Sequence, residues 1–393
     1  MIKKIFKIDK NIFFTGLTSF FTDASTKMIY SVMPLFLLSI GASKTAISLI
    51  EGIAESTASL LKIFSGYWSD KIGKNKLFMI IGYGITMIIT PLYSLALKPF
   101  HVLIMRFLER IGKGLRAAPR DSLISSSINK NETGKSFGFH KTMDNCGAIV
   151  GPLIAFFILK YTSLGYKSIF LFATIPAALG VLSIVLFVTD AKAKSSENKL
   201  KLKLSLLPGK YYFFLAIIFI FTLGNSADAL LLVKTAETGI SKEYIPFIYM
   251  IFNSVSVLFA IPFGKISDKI GREILIITGF SIYSIVYFFF GKYNNINIFI
   301  ILFIFYGIYS ALTDSSQKSL ISDIVSKDIK GTGYGIYHAV LGVTLLPASL
   351  IAGYLYDNVN SNAPFYFGSV MSALAALSML IFLFTDKIKK RIA

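Results

Sequence analysis

Ionisable side chains inside long apolar stretches are the residues of this chain best suited to chemistry. Asp23 and Lys27 lie four residues apart in the first such stretch, and Glu51 and Glu55 have the same spacing in the second. Four residues are about one helical turn, so each pair shares a helix face. Charges are costly inside a membrane and usually face a protein interior or a water-filled cavity, where they handle protons or charged substrates.

The densest set of charges lies in "ERIGKGLRAAPRD" and just before it. These charges recur at helical spacing, which predicts one charged face along a single helix. They are Arg106, Glu109, Arg110, Lys113, Arg116 and Arg120. The face either handles substrate at its Arg106–Lys113 end or serves only as a lattice of ion pairs.

The stretch "FGFHKTMDNCGAIVGP" places His140 one helical turn before Asp144. Histidine changes charge near neutral pH, so this pair can shuttle a proton or can form a structural hydrogen bond. Cys146 points away from the His140–Asp144 face, so no metal site is expected. Gly147 and Gly151 lie on the same face as the pair and predict the close approach of another helix.

The second half of the chain carries fewer charges within its apolar stretches. Asp228 lies in "LGNSADALLL" close to Asn225, and Asp314 lies in "ALTDSSQKS". Because a buried carboxylate needs a polar surrounding, both acids are expected to face an interior. All three residues are candidates for a substrate cavity.

The elements that hold these side chains are predicted to be membrane helices. The chain has 393 residues, of which 54% are hydrophobic, a balance typical of a polytopic membrane protein. About 20 mostly apolar residues are needed to cross a bilayer as a helix. Twelve segments qualify: 12–40, 45–67, 77–97, 101–127, 137–160, 166–189, 211–235, 243–266, 273–292, 296–325, 332–356 and 363–385.

Lysine and arginine are concentrated in alternate connecting loops. Cytoplasmic loops of membrane proteins retain these residues, so the pattern places both termini in the cytoplasm. The net charge of +19 is therefore read mainly as a topology signal. No nucleic-acid partner and no cofactor are expected, and the lipid bilayer is the expected environment.

The chain repeats itself about half its length later. "GYWSDKIGK" at 66–74 recurs as "GKISDKIGR" at 264–272, and "GKSFGFH" at 134–140 recurs as "GTGYGIY" at 331–337. Repeats of this kind predict an N-terminal six-helix bundle over 1–189 and a C-terminal one over 211–393. A cytoplasmic linker over 190–210 joins them.

The repeated loop carries a resemblance to the major facilitator superfamily. The matching residues of the first copy are Gly66, Asp70, Lys71, Gly73 and Lys74, and the second copy keeps Asp268 and Arg272. The resemblance implies an all-α membrane protein with twelve transmembrane helices in two pseudo-symmetric six-helix bundles. It also implies gating roles for these residues, and for Asp121 as the acid that pairs with Lys71 or Lys74.

The helix that contains Arg106 resembles the fourth helix of prokaryotic drug:proton antiporters in that superfamily. In those proteins an arginine at this position couples protonation to conformation, and Arg106 matches it. The resemblance implies a non-enzymatic secondary active transporter that works by alternating access in the inner membrane, with protons and a small molecule as its partners. A monomer is expected.

Proton-coupled efflux of an amphipathic or drug-like compound is the leading functional hypothesis. The proton-coupling candidates are Asp23, Glu55, Asp144 and His140. The substrate-cavity candidates are Lys27, Glu51, Arg106, Glu109, Arg110, Lys113, Asn225, Asp228 and Asp314. Organic-anion transport through the cations around Arg106 is the alternative, and a non-transporting membrane sensor or assembly factor is an alternative of another class.

Overall fold

A computed structural model describes residues 4–5, 8–72, 74–127, 133–190, 207–326 and 329–392. Gly73 and most of the expected linker 190–210 lie outside the described residues. The surroundings of Gly66, Asp70 and Lys71 are not described either, so Lys74 is the one residue of the first copy of the repeated loop, among those proposed for gating, whose surroundings are described.

The described chain is almost entirely helical. A short antiparallel hairpin of β1 (Lys4–Ile5) and β2 (Ile8–Asp9) precedes the helices, and a 3-10 turn spans Tyr93–Leu95. The helices are α1 (Lys10–Tyr30), α2 (Met33–Ser39), α3 (Lys44–Ile72), α4 (Asn75–Leu92), α5 (Pro99–Ser126), α6 (Thr133–Tyr161), α7 (Tyr166–Phe187), α8 (Gly209–Gly224), α9 (Asp228–Ala236), α10 (Tyr244–Ile270), α11 (Arg272–Lys292), α12 (Ile296–Ile324), α13 (Lys330–Asn358) and α14 (Ala363–Ile392).

Nine helical spans in the described ranges are long and apolar enough to cross a membrane, with α8 and α9 counted together. They coincide with nine of the twelve predicted segments. The other three segments correspond to α1 with α2, to α3 and to α5, which carry the ionisable residues discussed above. The chain is thus an all-α membrane protein in which the most polar helices also hold most of the candidate site.

The first predicted segment of each half is interrupted, whereas the sequence predicted continuous helices over 12–40 and 211–235. Pro34 lies at the start of α2, where its missing N–H is tolerated but its ring ends the preceding helix. The second interruption, at 225–227, consists of "NSA", whose short polar side chains compete for backbone hydrogen bonds and disfavour a helix.

One compact unit, unit 1, comprises Met1–Ala42, Thr57–Leu200 and Ser241–Met250. Within it α1 packs along α6, because α6 presents glycine where the two backbones meet. A Cβ atom at Gly151 would lie 2.2 Å from the carbonyl oxygen of Ala24, and one at Gly147 would lie 2.3 Å from that of Phe20. The predicted close approach to these glycines is therefore made by α1.

A second compact unit, unit 2, comprises Ser43–Ser56, Lys201–Ile240 and Ile251–Ala393. Its interior is aromatic: the rings of Phe221 and Phe280 stack 4.1 Å apart, and those of Tyr283 and Tyr287 stack 4.0 Å apart. Stacked rings bury large apolar areas and fix the register of α8 against α11.

Helix α3 contributes to both units. Its first turns belong to unit 2, where a Cβ at Gly353 of α13 would lie 2.7 Å from Thr45 Cα and one at Gly52 would lie 2.8 Å from Ser349 Cβ. Its later turns belong to unit 1 and end near Trp68, whose ring stacks on that of Phe64 with centroids 6.0 Å apart. Small residues thus allow α3 and α13 to run in close contact.

Candidate functional site

A buried ion pair lies in the first half of α5. Arg106 is 1% exposed, and its Nη1 lies 3.0 Å from Oε2 of Glu109. The same carboxylate oxygen accepts a hydrogen bond of 2.7 Å from the hydroxyl of buried Tyr93. A carboxylate that accepts from two donors in a low-dielectric interior is strongly oriented, and losing Arg106 would leave its charge without this partner.

Two cations flank one aromatic ring next to that pair. The guanidinium of Arg106 lies 5.4 Å from the ring centroid of Tyr30, and the ammonium of Lys27 lies 5.6 Å from it. Lys27 Nζ also donates a hydrogen bond of 2.9 Å to the hydroxyl of Tyr249. We call Lys27, Tyr30, Arg106, Glu109 and Tyr249 the Tyr30 cluster. Such cation–π contacts stabilise charge where water is scarce.

The remaining charges of α5 have different environments. Arg110 is buried and Lys113 is half-buried. Arg116 donates to Thr86 Oγ1 at 2.6 Å on α4 and lies over the Tyr83 ring, so it joins α4 to α5. Arg120 pairs with its neighbour Asp121 at 3.0 Å. The predicted charged face therefore combines a polar cluster at Arg106 with structural contacts nearer the end of the helix.

The proton-coupling candidates of unit 1 lie where α1 meets α6. Buried His140 approaches Ser19 Oγ through Nε2 at 2.8 Å and Asp144 through Nδ1 at 3.8 Å. Asp23 has Asp144 as its acidic neighbour, and Lys27, Lys113 and Lys141 are its basic neighbours. Asp23, His140 and Asp144 are thus brought together, and Lys27 links them to the Tyr30 cluster.

Glu51 and Glu55 lie on the part of α3 that belongs to unit 2. Glu51 is buried at 1% exposure and Glu55 is half-buried. They therefore belong to the same compact unit as α13. In the described ranges no three His, Cys, Asp or Glu side chains are arranged to hold a metal ion, and Cys146 is exposed.

The interruption between α8 and α9 carries Asn225 and Asp228. The single hydroxyl hydrogen of Tyr283 is shared between the Gly224 carbonyl at 3.1 Å and Asn225 Oδ1 at 3.3 Å. Tyr306 donates to Asp228 Oδ1 at 2.8 Å. Sequence reasoning missed these tyrosines because aromatic residues in membrane helices usually face lipid. Their helical spacing to Tyr287 and Tyr309 was the available signal.

Asp314 lies apart from that interruption. It is exposed and accepts a hydrogen bond of 3.3 Å from Ser310, which in turn accepts one of 3.1 Å from Ser256. Sequence reasoning also missed Lys234, a 4% exposed lysine that donates to Asn362 Oδ1 at 2.8 Å.

The second copy of the repeated loop forms an ion-pair network. Arg272 pairs with Asp268 and also with Asp323, the latter at 3.4 Å. Gly271 has a φ of +102°, which glycine adopts without steric cost. A cavity of about 490 Å³ opens beside this network, lined among others by Lys210 and Glu273.

Comparisons with known proteins agree with this architecture. The Major Facilitator Superfamily profile matches residues 15–235 and 213–392. An uncharacterized MFS-type transporter of Methanocaldococcus jannaschii is 35% identical over 383 residues, which cover 95% of each chain. The multi-drug resistance efflux pump PmrA of Streptococcus pneumoniae is 25% identical over 283 residues, covering 68% of this chain and 69% of the pump.

Solved structures share the fold at low sequence identity. A POT family transporter in complex with 5-aminolevulinic acid superposes with a TM-score of 0.82 at 15% identity and covers 98% of both chains. Because the family profile matches two overlapping stretches that together cover nearly the whole chain, and the fold agrees, the assignment does not depend on one loop. The chain belongs to the Major Facilitator Superfamily: it is a multi-pass membrane transporter and not an enzyme.

Proposed function

We propose that this transporter exports an amphipathic or drug-like compound across the cytoplasmic membrane in exchange for protons, by alternating access. We further propose that it works as a monomer, with both termini in the cytoplasm. The observation that carries the proposal is the placement of Asp23 beside Asp144 and Lys27. Asp23 and Asp144 interact electrostatically, so protonation of one favours the charged form of the other, and Lys27 can offset the charge of Asp23 when its proton leaves.

The Tyr30 cluster supplies a route from proton to substrate. Lys27 interacts electrostatically with Asp23 and donates a hydrogen bond to Tyr249. A change of charge at Asp23 therefore alters the attraction that Lys27 feels, and with it the position of Tyr249. Tyr30 and Tyr249, whose ring centroids are 5.5 Å apart, offer apolar faces and hydroxyls together, which suits an amphipathic compound. The likeness to a multi-drug efflux pump supports export as the direction.

Organic-anion transport is a second candidate, favoured by one observation. Two cations, Lys27 and Arg106, flank the single ring of Tyr30. This arrangement would attract an anionic group, although Glu109 already neutralises Arg106 from the same helix. A sensor or assembly factor is less well supported, because the chain belongs to a transporter family.

Purified protein in proteoliposomes tests the proposal. Tetraphenylphosphonium serves as the amphipathic probe and p-aminohippurate as the anionic probe, each with and without an imposed pH gradient. We expect gradient-driven movement of tetraphenylphosphonium that Asp23→Asn abolishes. Asp9→Asn is the control, because an amide oxygen can still accept the capping hydrogen bond from the Asn11 amide.

Each alternative outcome has one meaning. If wild-type protein moves p-aminohippurate and not tetraphenylphosphonium, the anion candidate replaces the first. If Asp23→Asn moves the probe at the wild-type rate with unchanged dependence on the gradient, proton coupling through Asp23 is wrong.

A further inference from the structure

We propose that the interruption between α8 and α9 is a binding site for a monovalent cation, either an alkali metal ion or the protonated amine of a substrate. The site lies in unit 2 and concerns a cation other than the coupling proton. It therefore goes beyond the proposed function and does not depend on Asp23.

The backbone at the interruption presents acceptors for a cation. Helix α8 ends at Gly224 and α9 begins at Asp228, so the carbonyl end of one helix meets an unwound segment. The carbonyl end of a helix carries a partial negative charge. In transporters, unwound backbone and the carbonyl ends of broken helices are suited to coordinate small cations.

Side chains add charge and oxygen atoms at the same place. Asp228 contributes a carboxylate, held through Oδ1 by the hydroxyl of Tyr306. Asn225 contributes its Oδ1, to which Tyr283 donates. The two tyrosines fix the directions of these oxygens, so the acceptors are preorganised. A cation bound there would not need to reorient them, whereas an anion would be repelled by the carboxylate.

Two buried hydroxyls point to a ligand at this place. Ser226 is 5% exposed and Tyr287 is fully buried, and the hydroxyl oxygen of each is buried with no hydrogen-bond partner among the described residues. The Tyr287 hydroxyl interacts with the side chains of Ser226, Tyr283 and Tyr306, so these hydroxyls can satisfy one another when no ligand is bound. Buried polar atoms are normally satisfied, and the poor alignment of these contacts leaves the two oxygens available to coordinate a cation.

Aromatic faces surround the carboxylate and extend the choice of cation to organic ammonium groups. The ring of Tyr306 stacks on Phe252 at 4.9 Å and lies 5.4 Å from Tyr309. Tyrosine faces attract ammonium groups electrostatically, and an amine with N–H groups could donate to Asp228 and Ser226 at once. An alkali ion and a protonated amine thus have the same requirements here, and experiment distinguishes them.

Thermal unfolding of the purified full-length protein in detergent provides the test. One arm replaces CsCl by NaCl at constant ionic strength. The other compares phenethylammonium with its neutral analogue 2-phenylethanol. A ligand that binds only the folded state raises the unfolding midpoint with a saturable dependence on its concentration. We expect one of the two cations to raise the midpoint by about 2 °C or more relative to its control.

Variants assign the effect to this site. Ser226→Ala and Asp228→Asn should each abolish the shift. Asp9→Asn should retain it, because Asp9 belongs to unit 1 and accepts its hydrogen bond from the Asn11 amide at the start of α1. Should Asp228→Asn fail to fold, Ser226→Ala and direct binding of ²²Na⁺ or radiolabelled phenethylammonium to the wild type carry the test.

The results separate the possibilities. A shift with Na⁺ identifies an alkali-ion site, and a shift with phenethylammonium but not with 2-phenylethanol identifies an amine site. The proposal is overturned if neither cation shifts the wild-type midpoint, or if the shift survives both Ser226→Ala and Asp228→Asn. None of these outcomes bears on gradient-driven transport through Asp23, so the two proposals fail independently.

Discussion

Asp357 Oδ2 accepts two hydrogen bonds from Thr45, at 2.8 Å from the backbone nitrogen and at 2.7 Å from the hydroxyl. The carboxylate comes from the end of α13, and the donor begins α3. Helix starts have amide groups without partners inside the helix, and a carboxylate there also interacts favourably with the helix dipole. Within unit 2, the start of α3 is thus capped by a residue 312 positions later in the sequence.

Removing this cap should loosen the start of α3. Asp357→Ala is expected to cost about 1 kcal/mol and to increase amide hydrogen exchange over residues 44–48. The control is Asp190→Ala, since Asp190 caps the Lys76 amide at 2.7 Å and its loss should affect the start of α4 instead. Unchanged exchange at the start of α3 in Asp357→Ala would show that water replaces the carboxylate without cost.

Removing one partner of the buried pair of Arg106 and Glu109 should destabilise the protein far more than replacing both partners. Arg106→Ala leaves a buried carboxylate and is expected to destabilise by about 3–5 kcal/mol, whereas Arg106→Met with Glu109→Gln should recover much of that loss. Arg120→Ala, which breaks a more exposed pair with Asp121, should cost less than about 1 kcal/mol. Thermal unfolding of the four proteins measures the difference, and equal losses at both sites would contradict it.

Glycines on α6 should differ sharply in their tolerance of a methyl group. Gly151→Ala would place a Cβ against the Ala24 carbonyl and should force α1 away, at a cost of several kcal/mol by overpacking. Gly138→Ala on the same helix meets nothing within 4 Å and should stabilise by about 0.5–1 kcal/mol through helix propensity. Yield and unfolding temperature of the two variants compare them directly.

The role of His140 can be separated from its packing. His140→Gln keeps a side chain that can bond to Ser19 but cannot change charge between pH 5 and 8. If His140 shuttles protons, transport by this variant should lose most of its pH dependence in that range while the unfolding temperature falls by only a few degrees. A retained pH profile with a large drop in stability would instead assign the residue to structure.

Sequence reasoning predicted the membrane helices well because apolar length is a local property that each segment carries by itself. It also predicted the pairing of His140 with Asp144 and the close approach at Gly147 and Gly151, since helical spacing determines which residues share a face. Arg116 shows what helical spacing cannot predict. The same spacing that grouped it with Arg106 could not reveal that its guanidinium reaches Thr86 on another helix.

Helical spacing was the available signal for the tyrosines around Asp228, but it was too weak to select them from sequence. Twenty tyrosines and 36 phenylalanines occur in the chain, and most positions in a membrane helix accept an aromatic residue. Only the packing of α11 and α12 against the interruption distinguishes Tyr283 and Tyr306 from the others. The interruption itself was concealed because Asn225 and Ser226 are too few to break an apolar segment of this length in a hydropathy profile.

Trp68 is the only tryptophan of the chain, and it lies 41% exposed beside Phe64 near the end of α3. The intrinsic fluorescence excited at the red edge of the indole band therefore comes from a single known position. Its emission wavelength reports how far the indole near the C-terminal end of α3 is exposed to water. A shift of the emission wavelength on ligand binding would therefore report a change in the surroundings of Trp68, without any label.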